Sequence, residues 1–86
     1  MSKNRDPKAR EIIHFLDEME VAKVMVKRLS VEILELHIHD IDSEIEIVDK
    51  ADLSEIVKSI FRTRLDKFKV GFLEEIKKRS TRTIDV

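Results

Sequence analysis

Residues 34–48, LELHIHDIDSEIEIV, constrain this chain most, because the stretch can pair with itself. Folded about Asp40, Ile41, Asp42 and Ser43, it sets His39 opposite Glu44, Ile38 opposite Ile45, His37 opposite Glu46 and Leu36 opposite Ile47. Apolar meets apolar on one side of such a ribbon, and imidazole meets carboxylate on the other. Cross-strand pairs are the unit of sheet stability, and a slip of one residue would set Ile against Glu throughout. The residues are mostly β-formers. A four-residue loop built on a type I turn needs no Gly. The stretch is therefore expected to form an antiparallel hairpin.

A second reading competes with it. Val31, Leu34, Ile38, Ile41, Ile45 and Val48 also recur at the three-four spacing of a coiled-coil helix, and no Gly or Pro interrupts the chain between Pro7 and Gly71. Against a helix, Ile33, Leu36 and Ile47 would lie on its far face, and Glu44, Glu46 and Asp49 would crowd its negative end. These objections leave the hairpin as the preferred reading.

Helical patterns flank this stretch on both sides. Asp6 is a favoured N-cap and Pro7 suits a first helical position. From there Ile12, Phe15, Leu16, Met19, Ala22, Val26 and Leu29 form one apolar stripe. Residues 21–26 are apolar nearly all round; a helix is favoured over a short strand, and a helix of that kind points to a second chain covering it. Further on, Asp52 and Glu55 have the spacing of a capping box. Leu53, Ile56, Val57, Ile60, Phe61, Leu65, Phe68, Phe72 and Ile76 then predict a helix from Leu53 to about Arg79. Gly71 inside it marks either a tolerated glycine or the close approach of another helix.

The expected fold is α+β: one domain over residues 1–86, in the order α-β-β-α, with residues 1–5 and 80–86 as flexible tails. The alternative is an all-α helical hairpin or bundle. A lone hairpin has two unpaired edges, and pairing one of them with a symmetry mate would make a homodimer.

At 86 residues the core is small, and with no cysteine there is no disulfide or thiolate metal site to staple it. The lack of cysteine fits a reducing compartment. No apolar run approaches the roughly 18 to 20 residues of a membrane span, and MSKNRDPKAR lacks the apolar core of a signal peptide, so a cytoplasmic protein is expected. The net charge of −1 conceals an asymmetry. Residues 1–10 carry four basic and one acidic residue, residues 11–57 four basic and thirteen acidic, and residues 58–82 nine basic and three acidic. Oppositely charged parts facing each other, in the fold or across a dimer, account for this most simply; a basic surface for an acidic partner is the functional alternative.

Chemistry-bearing motifs are few. On a strand His37 and His39 would share a face near Asp40, Asp42, Glu44 and Glu46, which makes them weak metal candidates; simple pairing with Glu44 and Glu46 explains them as well. Gly71 is the only glycine, so no glycine-rich phosphate loop exists, and no serine sits in a nucleophile context. No catalytic residue and no cofactor is expected. The preferred function is a small, non-catalytic, homodimeric module that binds and regulates another protein. Its candidate partner-binding residues are Glu35, His37, His39, Glu44 and Glu46 on the ribbon and Lys69, Lys77, Lys78 and Arg79 on the last helix. The runner-up is a nucleic-acid-binding regulator that uses Lys3, Arg5, Lys8 and Arg10 with the basic last helix. All four aromatics are Phe on apolar stripes, which suits a core better than base stacking.

Overall fold

The computed structural model describes residues 7–84, with side chains over residues 9–80, and the described residues are helical with no strand. Helix α1 spans Pro7–Val24, α2 spans Val31–Lys50 and α3 spans Glu55–Ile84. A short 3-10 turn, Val26–Arg28, bends the chain between α1 and α2. The expected hairpin is therefore replaced by a single helix, and the fold is an all-α bundle. The route to a dimer by sheet extension falls with the hairpin.

The reason lies in the buried stripe. Leu34, Ile41 and Val48, seven residues apart, are 0 % exposed, and Ile38 and Ile45 pack against the same core. Full burial of a side chain of this size contributes about 1.5–3 kcal/mol. A two-stranded ribbon would satisfy its backbone only along one edge of each strand, whereas the helix satisfies it internally and still presents the whole stripe. Ser30 starts the helix, its Oγ accepting the Ile33 N–H at 3.2 Å. The crowding of acids at the C-terminal end is answered from α3. Lys58 Nζ donates to the Asp49 carbonyl at 2.8 Å, and Arg62 Nη1 donates to Asp49 Oδ1 at 2.9 Å. A cation on the last carbonyls is what a helix C-terminus favours.

Helix α3 is the axis of the molecule. Its 30 residues reach about 45 Å at 1.5 Å each. Asp49 with Arg62, Asp42 with Lys69, and His37 with Phe72 set α2 antiparallel to it. Helix α1 also packs on α3: Lys23 reaches Gly71, and Arg79 reaches the carbonyl of Val26 in the 3-10 turn that follows α1. The two contacts advance in the same direction along the chain from α1 into the turn and along α3, so α1 runs with α3. One core joins all three: Ile12, Leu16 and Met19 of α1, the α2 stripe, and Phe61, Leu65, Phe68 and Phe72 of α3. The result is a rod of 60 × 19 × 15 Å with a radius of gyration of 15.1 Å. A compact domain of this length would have about 12 Å.

Several boundaries differ from expectation. The cap of α3 is Ser54, whose Oγ accepts the Val57 N–H at 3.3 Å, and not Asp52 two residues earlier. Helix α3 continues to Ile84, so residues 80–84 are helix and not tail. Residues 21–24 complete α1 as a helix, but Val21, Val24 and Met25 are 59, 79 and 42 % exposed, so their apolar side is not covered within one chain. The expected Asp6 cap and the tail at residues 1–5 lie outside the described residues.

A β-carbon added at Gly71 would fall 2.7 Å from Lys23 Cε and 3.2 Å from Lys23 Nζ. What lies against the glycine is the end of a flexible side chain and not a neighbouring backbone. Gly71→Ala is expected to displace Lys23 into solvent and raise stability by about 0.5–1 kcal/mol through helix propensity. Thermal unfolding followed by circular dichroism at 222 nm would measure this. By contrast, Ile41→Ala should cost about 2–5 kcal/mol in the same assay.

Candidate interaction surface

The residues singled out on the hairpin are redistributed by the helix. Two positions apart on a helix lie about 200° apart, so His37 and His39 no longer share a face. His37 is half-buried, with its ring 5.6 Å from that of Phe72 at a tilt of 34°. His39 is exposed, as are Glu35 and Glu46, while Glu44 is half-buried. Among the described residues no group of three or more His, Asp or Glu side chains could hold a metal ion. The metal reading of His37 and His39 depended on strand geometry and has no basis here.

The acidic and basic segments meet inside the chain. Helix α2 carries seven acidic residues and one lysine, and α3 carries nine basic and four acidic residues. Lys69 Nζ donates to Asp42 Oδ1 at 2.7 Å, beside the two contacts of Asp49 with Lys58 and Arg62. These pairs are largely solvent-exposed and contribute little stability each. Their effect is to offset the charge of Arg62 and Lys69 and to tie the Lys58 ammonium to the end of α2. Lys77 and Lys78 remain on the outside of α3.

Arg79 has a structural role. Its Nε donates to Glu75 Oε2 at 3.1 Å and its Nη2 to the Val26 carbonyl at 3.0 Å, with the Lys27 carbonyl at 3.5 Å. The guanidinium thus holds the 3-10 turn between α1 and α2 against α3. With side chains 25 and 13 % exposed, Arg79 and Glu75 form the least solvated ion pair of the set. The sequence marks Arg79 as a candidate partner contact, and in the fold its guanidinium ties the turn down.

The surface also carries what the charge pattern did not point to. Large apolar side chains stand in groups on the outside: Val21, Val24 and Met25 at the end of α1, Ile33, Leu36 and Ile47 along α2, and Ile56 and Ile60 at the start of α3. Ile56 is 75 % exposed and Ile60 54 %. The sequence did contain this signal, since Ile33, Leu36 and Ile47 are the residues that would be stranded on the far face of a helical α2. An open hollow of about 510 Å³ lies along α1, lined by Arg10, Glu11, Ile13, His14 and Asp17. All five come from one helix, and His14 pairs with Glu18 at 3.3 Å with both side chains well exposed, so no convergent set of groups forms there.

No family model, curated protein or solved structure matches this chain. No described helix is long and apolar enough to cross a membrane.

Arg79→Ala is expected to destabilise the fold by about 1–3 kcal/mol, because it strips partners from Glu75 and from the carbonyl of the turn. Arg79→Lys should recover little, since a lysine cannot reproduce the fork. Arg62→Ala, which breaks an exposed pair, should cost under about 1 kcal/mol. Chemical denaturation of the three variants measures the difference.

Proposed function

We propose that the chain is a non-catalytic, self-associating interaction module that docks another protein through apolar helix faces. The observation that carries this reading is the grouping of exposed apolar side chains on all three helices of a thin rod. Scattered single apolar residues on a surface are ordinary, but neighbours at helical spacing make continuous strips of the kind a partner helix covers. Ile56 and Ile60 are four residues apart on one face of α3, and Val21 and Val24 with the following turn residue Met25 cluster at the end of α1. The elongated shape supports the same reading, because a rod 60 Å long offers much contact surface for a small core.

Nucleic-acid binding through α3 draws less support. Lys58, Arg62 and Lys69 are engaged with α2, and Arg79 is engaged with Glu75 and the turn. Lys3, Arg5, Lys8 and Arg82, which that reading also needs, have no described side chains.

Proximity labelling in cells that express the protein separates the two. The labelled set of proteins should shrink with Ile56→Glu combined with Ile60→Glu, and persist with Lys77→Glu combined with Lys78→Glu. Purified protein should show no binding to labelled duplex or single-stranded nucleic acid at physiological salt. Tight, salt-sensitive binding that the lysine variant abolishes would overturn the reading and establish the alternative.

A further inference from the structure

We propose that α2 is the self-association helix, its outer stripe packing antiparallel against the same stripe of a second copy about a two-fold axis between residues 41 and 42. This rests on the interaction-module reading and specifies its first partner. Ile33, Leu36, Asp40, Ser43 and Ile47 recur at three-four spacing and lie about a third of a turn around from the buried Leu34, Ile41 and Val48. Ile33, Leu36 and Ile47 are 39, 53 and 37 % exposed. Two helices that meet through such stripes interlock as in a coiled coil.

The order of residues along the stripe makes a second copy the fitting occupant. Antiparallel about that axis, Leu36 of each chain meets Ile47 of the other, Asp40 meets Ser43, and Ile33 meets the aliphatic stem of Lys50. Each Ser43 hydroxyl donates to an Asp40 carboxylate, and the symmetry forms this contact twice. A polar layer in the middle of an apolar stripe fixes register and orientation, since any slip leaves it facing aliphatic carbon. On one flank the exposed His39 comes within two residues, about 3 Å along the axis, of the exposed Glu46 of the other chain. Of the pairs that suggest a hairpin in one chain, Leu36 with Ile47 is thus made between two chains, while Ile38 and Ile45 pack against the core of their own chain. An isologous contact of this kind closes at two copies and leaves the Ile56 and Ile60 strip free for a different protein.

Charge opposes the contact and gives it a signature. Each α2 is strongly acidic, and Asp42 and Asp49 are already held by Lys69 and Arg62. The exposed Glu32, Glu35 and Glu46 of the two copies repel across the axis, and salt screens that repulsion over a Debye length of about 8 Å at physiological ionic strength. Association should therefore tighten as salt is added.

Single-cysteine variants test register and direction together, because the chain has no cysteine of its own. Leu36→Cys and Ile47→Cys, both at exposed positions, are prepared separately, checked for helicity, and oxidised alone and mixed. The mixture should give a disulfide-linked dimer, while Leu36→Cys alone should not, its two copies lying about 16 Å apart along the helices. Sedimentation equilibrium of the full chain should show a dimer that Leu36→Glu dissociates and Ile60→Glu leaves intact. A homotypic Leu36→Cys crosslink, a dimer that depends on Ile60, or a monomer at every concentration would overturn the proposal. A monomer whose labelled partners still depend on Ile56 and Ile60 would leave the module reading standing; loss of both would remove it too.

Discussion

The structure depends on the contact between α2 and α3. Leu34, Ile41 and Val48 present one line of aliphatic side chains, and Phe61, Leu65, Phe68 and Phe72 present a line of large ones against it. Every one of these is 9 % exposed or less. Neither helix could hold its shape alone for long, because isolated helices in water draw little stability from propensity, and most of it comes from packing an apolar face. The two make an antiparallel pair through the short connection at residues 51–54, so the contact costs little chain entropy to form.

Helix α1 is joined to this pair more lightly. It adds Ile12, Leu16, Met19 and Ala22 to the core, and the Arg79 guanidinium fastens the turn that follows it. Its last turn leaves Val21 and Val24 in solvent. A thin bundle built from a chain this short has a small stability margin, and anything that binds only the folded form adds to that margin. Exposed apolar strips on such a molecule are a cost in the free chain that a bound partner removes.

The charge segregation has an internal explanation. Acidic α2 and basic α3 lie antiparallel, and ion pairs cross between them at both Asp42 and Asp49. Like charges crowded on one helix weaken it, and a neighbour of opposite sign relieves this without a deep electrostatic contribution to stability. The same arrangement leaves α2 still acidic on its outer side, which bears on which surfaces can approach it and at what salt.

The apolar stripe of α1 was legible in the sequence nearly residue by residue, and that of α3 too except at Ile56 and Ile60, which were expected on the stripe and stay in solvent; the opposition of acidic and basic segments was legible as well. So was the α2 stripe of Val31, Leu34, Ile38, Ile41, Ile45 and Val48, though the self-pairing of residues 34–48 outweighed it. Local pattern could not arbitrate, because that stretch satisfies a period of 2 and a period of 3.6 at once. Of the two objections to the helix, a neighbour answers one and the other holds. Asp49 at the negative end of α2 acquires Lys58 and Arg62 from a helix nine to thirteen residues away, and the stranded Ile33, Leu36 and Ile47 stay on the surface. The candidate sites followed the fold: His37 and His39 form a pair on a strand and point apart on a helix. The sequence by itself determined which residues seek burial and which charges seek opposites. Tertiary structure decided the secondary structure of residues 31–50, because only the facing line of Phe61, Leu65, Phe68 and Phe72 favours the longer period over the shorter one.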